Sequence, residues 1–210
     1  MIRVKSWVLP DSETHMNQFL EKDGTYQQKH RDLALSFVKE KHIVLDIGAH
    51  AGLWSRDFAK QFDVVYAFEP SKEFRECYDI NVCQFPNIKA KVYMNDCALG
   101  NYNGKVGLTI DGSNTGHSHL DLTGNTHNIR KLDSFAFDRI DYIKIDVEDA
   151  EFMVLQGAIE TILTHKPIIS IEQKEHGFYG NSRFAAKEFL ESIGMEQLGV
   201  VSADYILGWV

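Results

Sequence analysis

Apolar residues come in short, β-branched runs that alternate with stretches of helical spacing, and this rhythm points to one fold class. HIVLDIG (42–48), DVVYAFE (63–69), IKAKVYM (88–94), DYIKIDV (141–147) and PIISIE (167–172) each read as a buried strand. Between them, YQQKHRDLALSFVKEK (26–41) sets Leu33, Phe37 and Val38 at helical spacing, and Ala51 to Gln61 reads as a helix. Ser71 is a helix N-cap, with Glu73 in the first turn of a helix running to about Asn81. Phe152, Leu155, Ile159 and Ile162 line one helix face, and a further helix is expected from Ser182 to Ile193. Two last runs, MEQLGVV (195–201) and DYILGWV (204–210), joined by Ser202-Ala203, predict an antiparallel hairpin. Together these elements predict a doubly wound α/β fold with a mostly parallel sheet.

Two stretches break the rhythm. Residues 1–25 are polar and carry Pro10, Asp11, Ser12 and Asp23-Gly24 as breakers, which suggests an arm or lid. Residues 100–131 hold Gly100, Gly104, Gly107, Gly112, Gly116 and Gly124 around one alternating stretch, KVGLTID. They read as a β-rich insertion within a single domain over 26–210, at the sheet edge where an acceptor wall is expected.

Composition narrows the function. The chain has 210 residues, enough for one self-sufficient core. Its 22 Lys and Arg against 30 Asp and Glu give a net charge of −8, with no basic stripe. Nucleic acid is therefore not an expected partner, because backbone affinity comes from neutralising phosphates. Cys77, Cys83 and Cys97 form no C-x-x-C pair and read as reduced thiols. With no signal-like or membrane-spanning run, a cytoplasmic protein with no membrane partner is expected.

In open α/β sheets ligands bind beyond the carboxyl ends of strands, so the residues following each strand are the candidates. The first strand leads into Asp46-Ile-Gly48-Ala49-His50-Ala51-Gly52, a sharp turn into a helix whose amino end suits an anion. His50 and Leu53 replace two glycines of the dinucleotide fingerprint, which counts against a nicotinamide cofactor. A ligand with one carboxylate and one ammonium fits better, since Asp46 offers a negative partner. The second strand ends at Glu69-Pro70-Ser71, where an acid can accept both hydroxyls of a ribose. The third ends at Asp96-Cys97, suited to an adenine amino group and ring, or equally to a turn acid and a buried thiol. After the fourth, Asp146 and Glu148 alternate onto one side of an extended segment, with Lys144 in the same parity to offset them. Glu151 reads as a helix-start charge.

VLDIGAHAGLWS, YAFEPS, CALG, KLDSF and IDYIKIDVEDAEFMVLQGA followed by KPIISIE resemble the FkbM family of S-adenosylmethionine-dependent methyltransferases, over about residues 24–172. The resemblance implies a class I methyltransferase fold with a seven-stranded core. It implies that Asp46, Gly48, Ala49, His50 and Gly52 hold the methionine part of S-adenosylmethionine. Glu69, flanked by Pro70 and Ser71, would take the ribose, Asp96 and Cys97 the adenine, and Asp146 would face donor and acceptor. Gly24-Thr25-Tyr26 resembles a short family segment and adds Tyr26. Two positions depart from the family: His50 stands where asparagine is common, and Asp149 where glycine is usual.

A hydroxyl acceptor needs a base. Asp146 is one candidate; His117 and His119 in the insertion are others, as are Glu172, Glu175, His176 and Tyr179 after the fifth strand. Two imidazoles do not make a metal site, and no metal is expected. The N-P-P-[YF] motif of amino-methylating enzymes is absent after the fourth strand, which favours oxygen. The resemblance points to hydroxyls of sugars or sugar-containing metabolites. An N-methyltransferase, or a non-catalytic module that binds the cofactor and a partner, remains open as an alternative.

Overall fold

The computed structural model describes residues 1–85, 88, 90–173 and 182–210. In chain order the elements are β1 (Ile2–Val4), β2 (Trp7–Leu9), α1 (His15–Asp23), α2 (Gln28–Ser36), β3 (Ile43–Ile47), α3 (Ser55–Gln61) and β4 (Val64–Phe68). There follow α4 (Lys72–Tyr78), β5 (Lys91–Asn95), β6 (Cys97–Leu99), β7 (Gly104–Thr109), β8 (His119–Asp121) and β9 (His127–Arg130). Last come β10 (Tyr142–Ile145), α5 (Glu151–Gln156), α6 (Ile159–His165), β11 (Ile168–Glu172), α7 (Ala185–Ser192), β12 (Glu196–Val201) and β13 (Asp204–Gly208).

Seven strands form the main sheet in the order β12-β13-β11-β10-β3-β4-β5. β5, β4, β3, β10 and β11 run parallel, while β13 lies antiparallel to both β11 and β12. Side chains alternate across it, as the strand period demands. Leu45, Ile47, Ile143 and Ile145 face a core shared with α5, α6 and α7. Val44 and Tyr142 face the opposite core, against Ala34, Leu35, Phe58 and Tyr78 of α2, α3 and α4. Both faces are covered, so near-continuous apolar strands are what the sequence must supply.

The chain leaves the main sheet at β5 and, after the single residue Asp96, starts a second sheet of order β6-β9-β7-β8. The glycine-rich stretch supplies β7, β8 and β9 of this sheet, with a 3-10 turn at Thr115–His117 between β7 and β8. Residues 1–24, expected as an arm or lid, form a hairpin and a helix. Leu9 and Leu20 are fully buried there, in a cluster with Ala51, Leu53 and Cys77. Asn81 in the π-helical turn Asp79–Cys83 knits this unit to the first loop. Its side chain donates to Val8 O and Ala51 O, both at 2.7 Å, and accepts from Val8 N at 2.8 Å.

Several helices are shorter than their spacing predicts. α2 stops at Ser36, α3 starts only at Ser55, and α4 gives way to the π-helical turn at Asp79. The helix expected through Phe152 and Ile162 is two helices, broken at Gly157-Ala158. Gly157 lies so close to the second sheet that a Cβ there would sit 1.9 Å from Gly100 O. The cysteines are all free. Among the described residues no helix is long and apolar enough to cross a membrane.

Gly157→Ala should therefore cost about 1–3 kcal/mol through overpacking, lowering the thermal midpoint by several degrees. An unchanged melting curve would show that this contact does not break the helix.

Candidate active site

Strand order reverses between β3 and β10, where open sheets bind ligands. A cavity of about 1180 Å³ opens there, larger than the roughly 300–1,000 Å³ typical of one small-molecule pocket. Its floor is made by strand ends: Ile47 to His50, Phe68 to Pro70, Cys97 to Leu99, Lys144, and Asp146 to Glu148. Its roof comes from α1, from residues 25–32, and from the turn at 114–118.

Lys144 is the buried cation of the floor, 5% exposed. Its Nζ donates to Gly48 O at 2.9 Å and lies 3.4 Å from Asp46 Oδ1 and 3.5 Å from Asp146 Oδ2. Burial works against its charge, but Asp146 and Asp46 outweigh it and raise its pKa. Asp46 itself is buried behind the wall, its Oδ2 accepting from Ser55 Oγ at 2.5 Å. Gly48 adopts φ +78°, and a Cβ would fall 1.8 Å from Asp146 O, so no side chain fits. Gly52 also has positive φ but faces Val82 and Tyr78; it serves packing and does not line the cavity.

Glu69 lines the cavity and receives N–H groups on both oxygens, from His50 at 2.9 Å and Ser71 at 2.8 Å. Burial pushes its carboxyl up to about 7, against the pull of those donors and of Arg75 and Lys144. His50 lines the wall in a left-handed turn (φ 47°), with Phe74 packed on its ring at 4.1 Å. Its Nε2 lies 2.9 Å from Thr115 Oγ1. Burial pushes the imidazole down to about 4, so it is neutral at physiological pH.

The other candidates divide. Tyr26, Ala49, Pro70, Cys97, Asp146 and His117 line the cavity. Burial raises the Tyr26 phenol above its ordinary range and the Cys97 thiol to about 11, so both keep their protons. Ser71 stands off the wall because its hydroxyl caps α4, accepting from Phe74 N at 3.4 Å. Asp96 is exposed at the step between sheets and His119 sits on β8, so neither lines the cavity. Glu175, His176 and Tyr179 lie outside the described residues.

Asp146 and Glu148 do not share an extended strand, since β10 ends at Ile145 and Glu148 and Asp149 turn left-handed at φ 50° and 72°. That conformation accounts for the family's usual glycine at position 149; Asp is among the few other residues that tolerate it. The turn still gathers Asp146, Glu148 and Glu172, with carboxylate oxygens within 4.8 Å of one another. Such a spacing of half-buried acids can receive a divalent cation, where the two imidazoles of the insertion led to no metal being expected. Glu151 is buried behind them, accepts from Val147 N at 3.2 Å, and is pushed up to about 8 by burial, which fits a structural role.

The residues present fit an S-adenosyl group. Glu69 keeps free lone pairs for ribose hydroxyls, Gly48 leaves the loop backbone bare, and Phe68, Cys97 and Leu99 give an apolar seat for a base. A model of the methyltransferase FkbM domain matches residues 46–199.

The chain belongs to the FkbM methyltransferase family.

The domain is that of an S-adenosylmethionine-dependent methyltransferase, and S-adenosylmethionine is its cofactor. Solved structures agree in fold. The FkbM methyltransferase from Methylobacillus flagellatus matches with TM-score 0.56 and 18% identity, over 81% of this chain and 44% of that one. This FkbM chain thus spans less than half of that protein's length. A proposed rRNA methylase from Clostridium thermocellum matches with TM-score 0.54 and 13% identity, over 87% of this chain and 93% of that one. A precorrin 8W decarboxylase from Methanobacterium thermoautotrophicum matches with TM-score 0.52 and 12% identity, over 100% of both chains. At such identities these structures share a Rossmann-like α/β fold with the FkbM chain and say nothing of its substrate. No curated protein matches it in sequence.

Two outcomes follow from the FkbM site. Ribose hydroxyls need an ionised acceptor, so S-adenosylhomocysteine affinity should fall about tenfold as pH drops from 8 to 6 through the Glu69 pKa. Glu69→Gln should bind weakly at both values, and an equally steep pH profile in that variant would assign the effect elsewhere. Asp149→Gly should raise the thermal midpoint by about 2 °C, since relieving a left-handed residue is worth up to ~1 kcal/mol; a lower midpoint would mean that the Asp149 side chain stabilises the turn.

Proposed function

We propose that this FkbM domain methylates a hydroxyl of a sugar or a sugar-containing metabolite. The observation that carries the reading is the size and two-sided lining of the cavity. Beyond the space a cofactor fills, the roof offers the rings of His15, Phe19 and Tyr26, packed edge to face at 5.1 and 5.8 Å. Aromatic faces bordered by Asn114, Ser118 and His117 suit a ligand with C–H faces and many hydroxyls. The acidic balance of the chain disfavours a phosphate-rich acceptor, so nucleic acid stays outside this reading. A cytoplasmic location is part of the same proposal.

When bound, S-adenosylmethionine supplies a sulfonium methyl open to in-line displacement. The chain's work is to position and to manage one proton. Glu69 and the Gly48 turn hold the donor side, and Lys144 fixes Asp146 through its ion pair. Asp146 would take the proton that the acceptor hydroxyl gives up. His117, on the roof, is the rival base.

The test is methyl transfer from labelled S-adenosylmethionine to a panel of glycans and nucleotide sugars, followed by base-stability of the product. Asp146→Asn should lose at least about 100-fold in turnover while holding S-adenosylhomocysteine within a few-fold of wild type. A dead His117→Ala beside an active Asp146→Asn would move the base to His117. Transfer only to amines would favour the N-methyltransferase, and cofactor binding without any turnover the partner module.

A further inference from the structure

Glu13 lies in the N-terminal unit, outside the residues that match the family, yet it is buried to 1% exposure against the turn over the cavity. Its Oε1 accepts from Met16 N at 2.7 Å. Its Oε2 accepts both the backbone N–H of Thr115, at 2.8 Å, and the Thr115 hydroxyl in a very short contact. Beside it, Thr14 N and Oγ1 both donate to Ser113 O, at 3.2 and 2.6 Å.

A hydroxyl has one proton to give. Thr115 gives its proton to the carboxylate, so toward His50 Nε2, 2.9 Å away, it can only accept. The neutral His50 ring is thereby held with its proton on Nε2 and none on Nδ1, which is buried without a partner among the described residues. The same ring bond pins a residue in a left-handed conformation, and the backbone N–H of that residue is the donor to Glu69 Oε2. An unbroken chain runs from Glu13 through Thr115 and His50 to the acid at the end of β4.

We propose that Glu13 is a positioning residue for the cofactor site, acting through Thr115 and His50 to hold Glu69 in its ribose-binding arrangement. This rests on the assignment of Glu69 to the ribose. Glu13→Gln breaks the chain at its root: in either orientation its amide sets an NH2 group against a backbone N–H, of Met16 or of Thr115, that the carboxylate accepts. Thr115→Val removes the link at constant shape, while Thr115→Ser keeps it.

The experiment combines calorimetric titration of S-adenosylhomocysteine with nitrogen-15 NMR of the His50 ring. In wild type, Nε2 should carry the proton and Nδ1 should resonate as a bare nitrogen. Glu13→Gln and Thr115→Val should each weaken binding about tenfold, the scale of a lost charge-assisted hydrogen bond, and Thr115→Val should release the tautomer. Thr115→Ser should hold wild-type affinity, as should Glu21→Gln, an exposed charge change in the same unit. The double variant should bind no worse than the weaker single one, because one chain is broken once. Should Glu13→Gln fail to fold, the Val and Ser variants at 115 decide alone. Wild-type binding with unchanged affinity and tautomer in Thr115→Val would overturn the proposal. Wild type failing to bind at all would instead remove the ribose assignment beneath it.

Discussion

The site depends on one buried ammonium. Lys144 on β10 reaches a carbonyl in the β3 turn, an aspartate on β3 and an aspartate just past its own strand. A lysine this deep is tolerable only if its charge is met, and removing both acids would strand a charge in a low-dielectric interior. The arrangement explains why Gly48 has no room for a side chain: the turn is drawn against Asp146 O. It also explains why Asp46 stands behind the wall. Its role is to hold Lys144 and Ser55, and through them the shape of the loop that carries His50.

The parallel core was legible because its signal is local. Five apolar runs appear as β3, β4, β5, β10 and β11 within a few residues of their expected limits, and the terminal hairpin as β12 and β13. A strand buried on both faces must read as an unbroken apolar run, whatever its neighbours. Helix limits were less legible because tertiary contacts set them. Gly157 breaks a continuous apolar stripe for the sake of an approach to Gly100, more than fifty residues away in sequence. The polar N-terminus concealed a packed unit, since Leu9 and Leu20 end apolar runs of only three and two residues there and find partners in the first loop and in α4.

In the site, residues at strand ends were found where their positions promised: Gly48, Ala49, His50, Glu69, Cys97 and Asp146 all line the cavity. Those whose side chains answer to something else were not. Ser71 is engaged with its own helix, Gly52 with Tyr78, and Asp46 with Lys144. Lys144 was visible as a charge neutraliser, but its bond to Gly48 was not. Glu13 and Thr115 carried no signal at all, because a glutamate in a polar stretch and a threonine among glycines gain meaning only across the hundred residues that separate them.

That separation governs the order in which the molecule can assemble. β3 and β4 are joined by a short helix and pair with little loop entropy to overcome, whereas the contact between residues 13 and 115 closes one of the longest loops in the chain. The pairing of β3 with β10 closes a loop of nearly the same length, so both are expected to follow the local pairing of β3 with β4. Floor and roof differ in what holds them: β3 and β10 pair along their length around Lys144, whereas the roof turn is tied to the N-terminal unit by hydrogen bonds of Glu13 and Thr14.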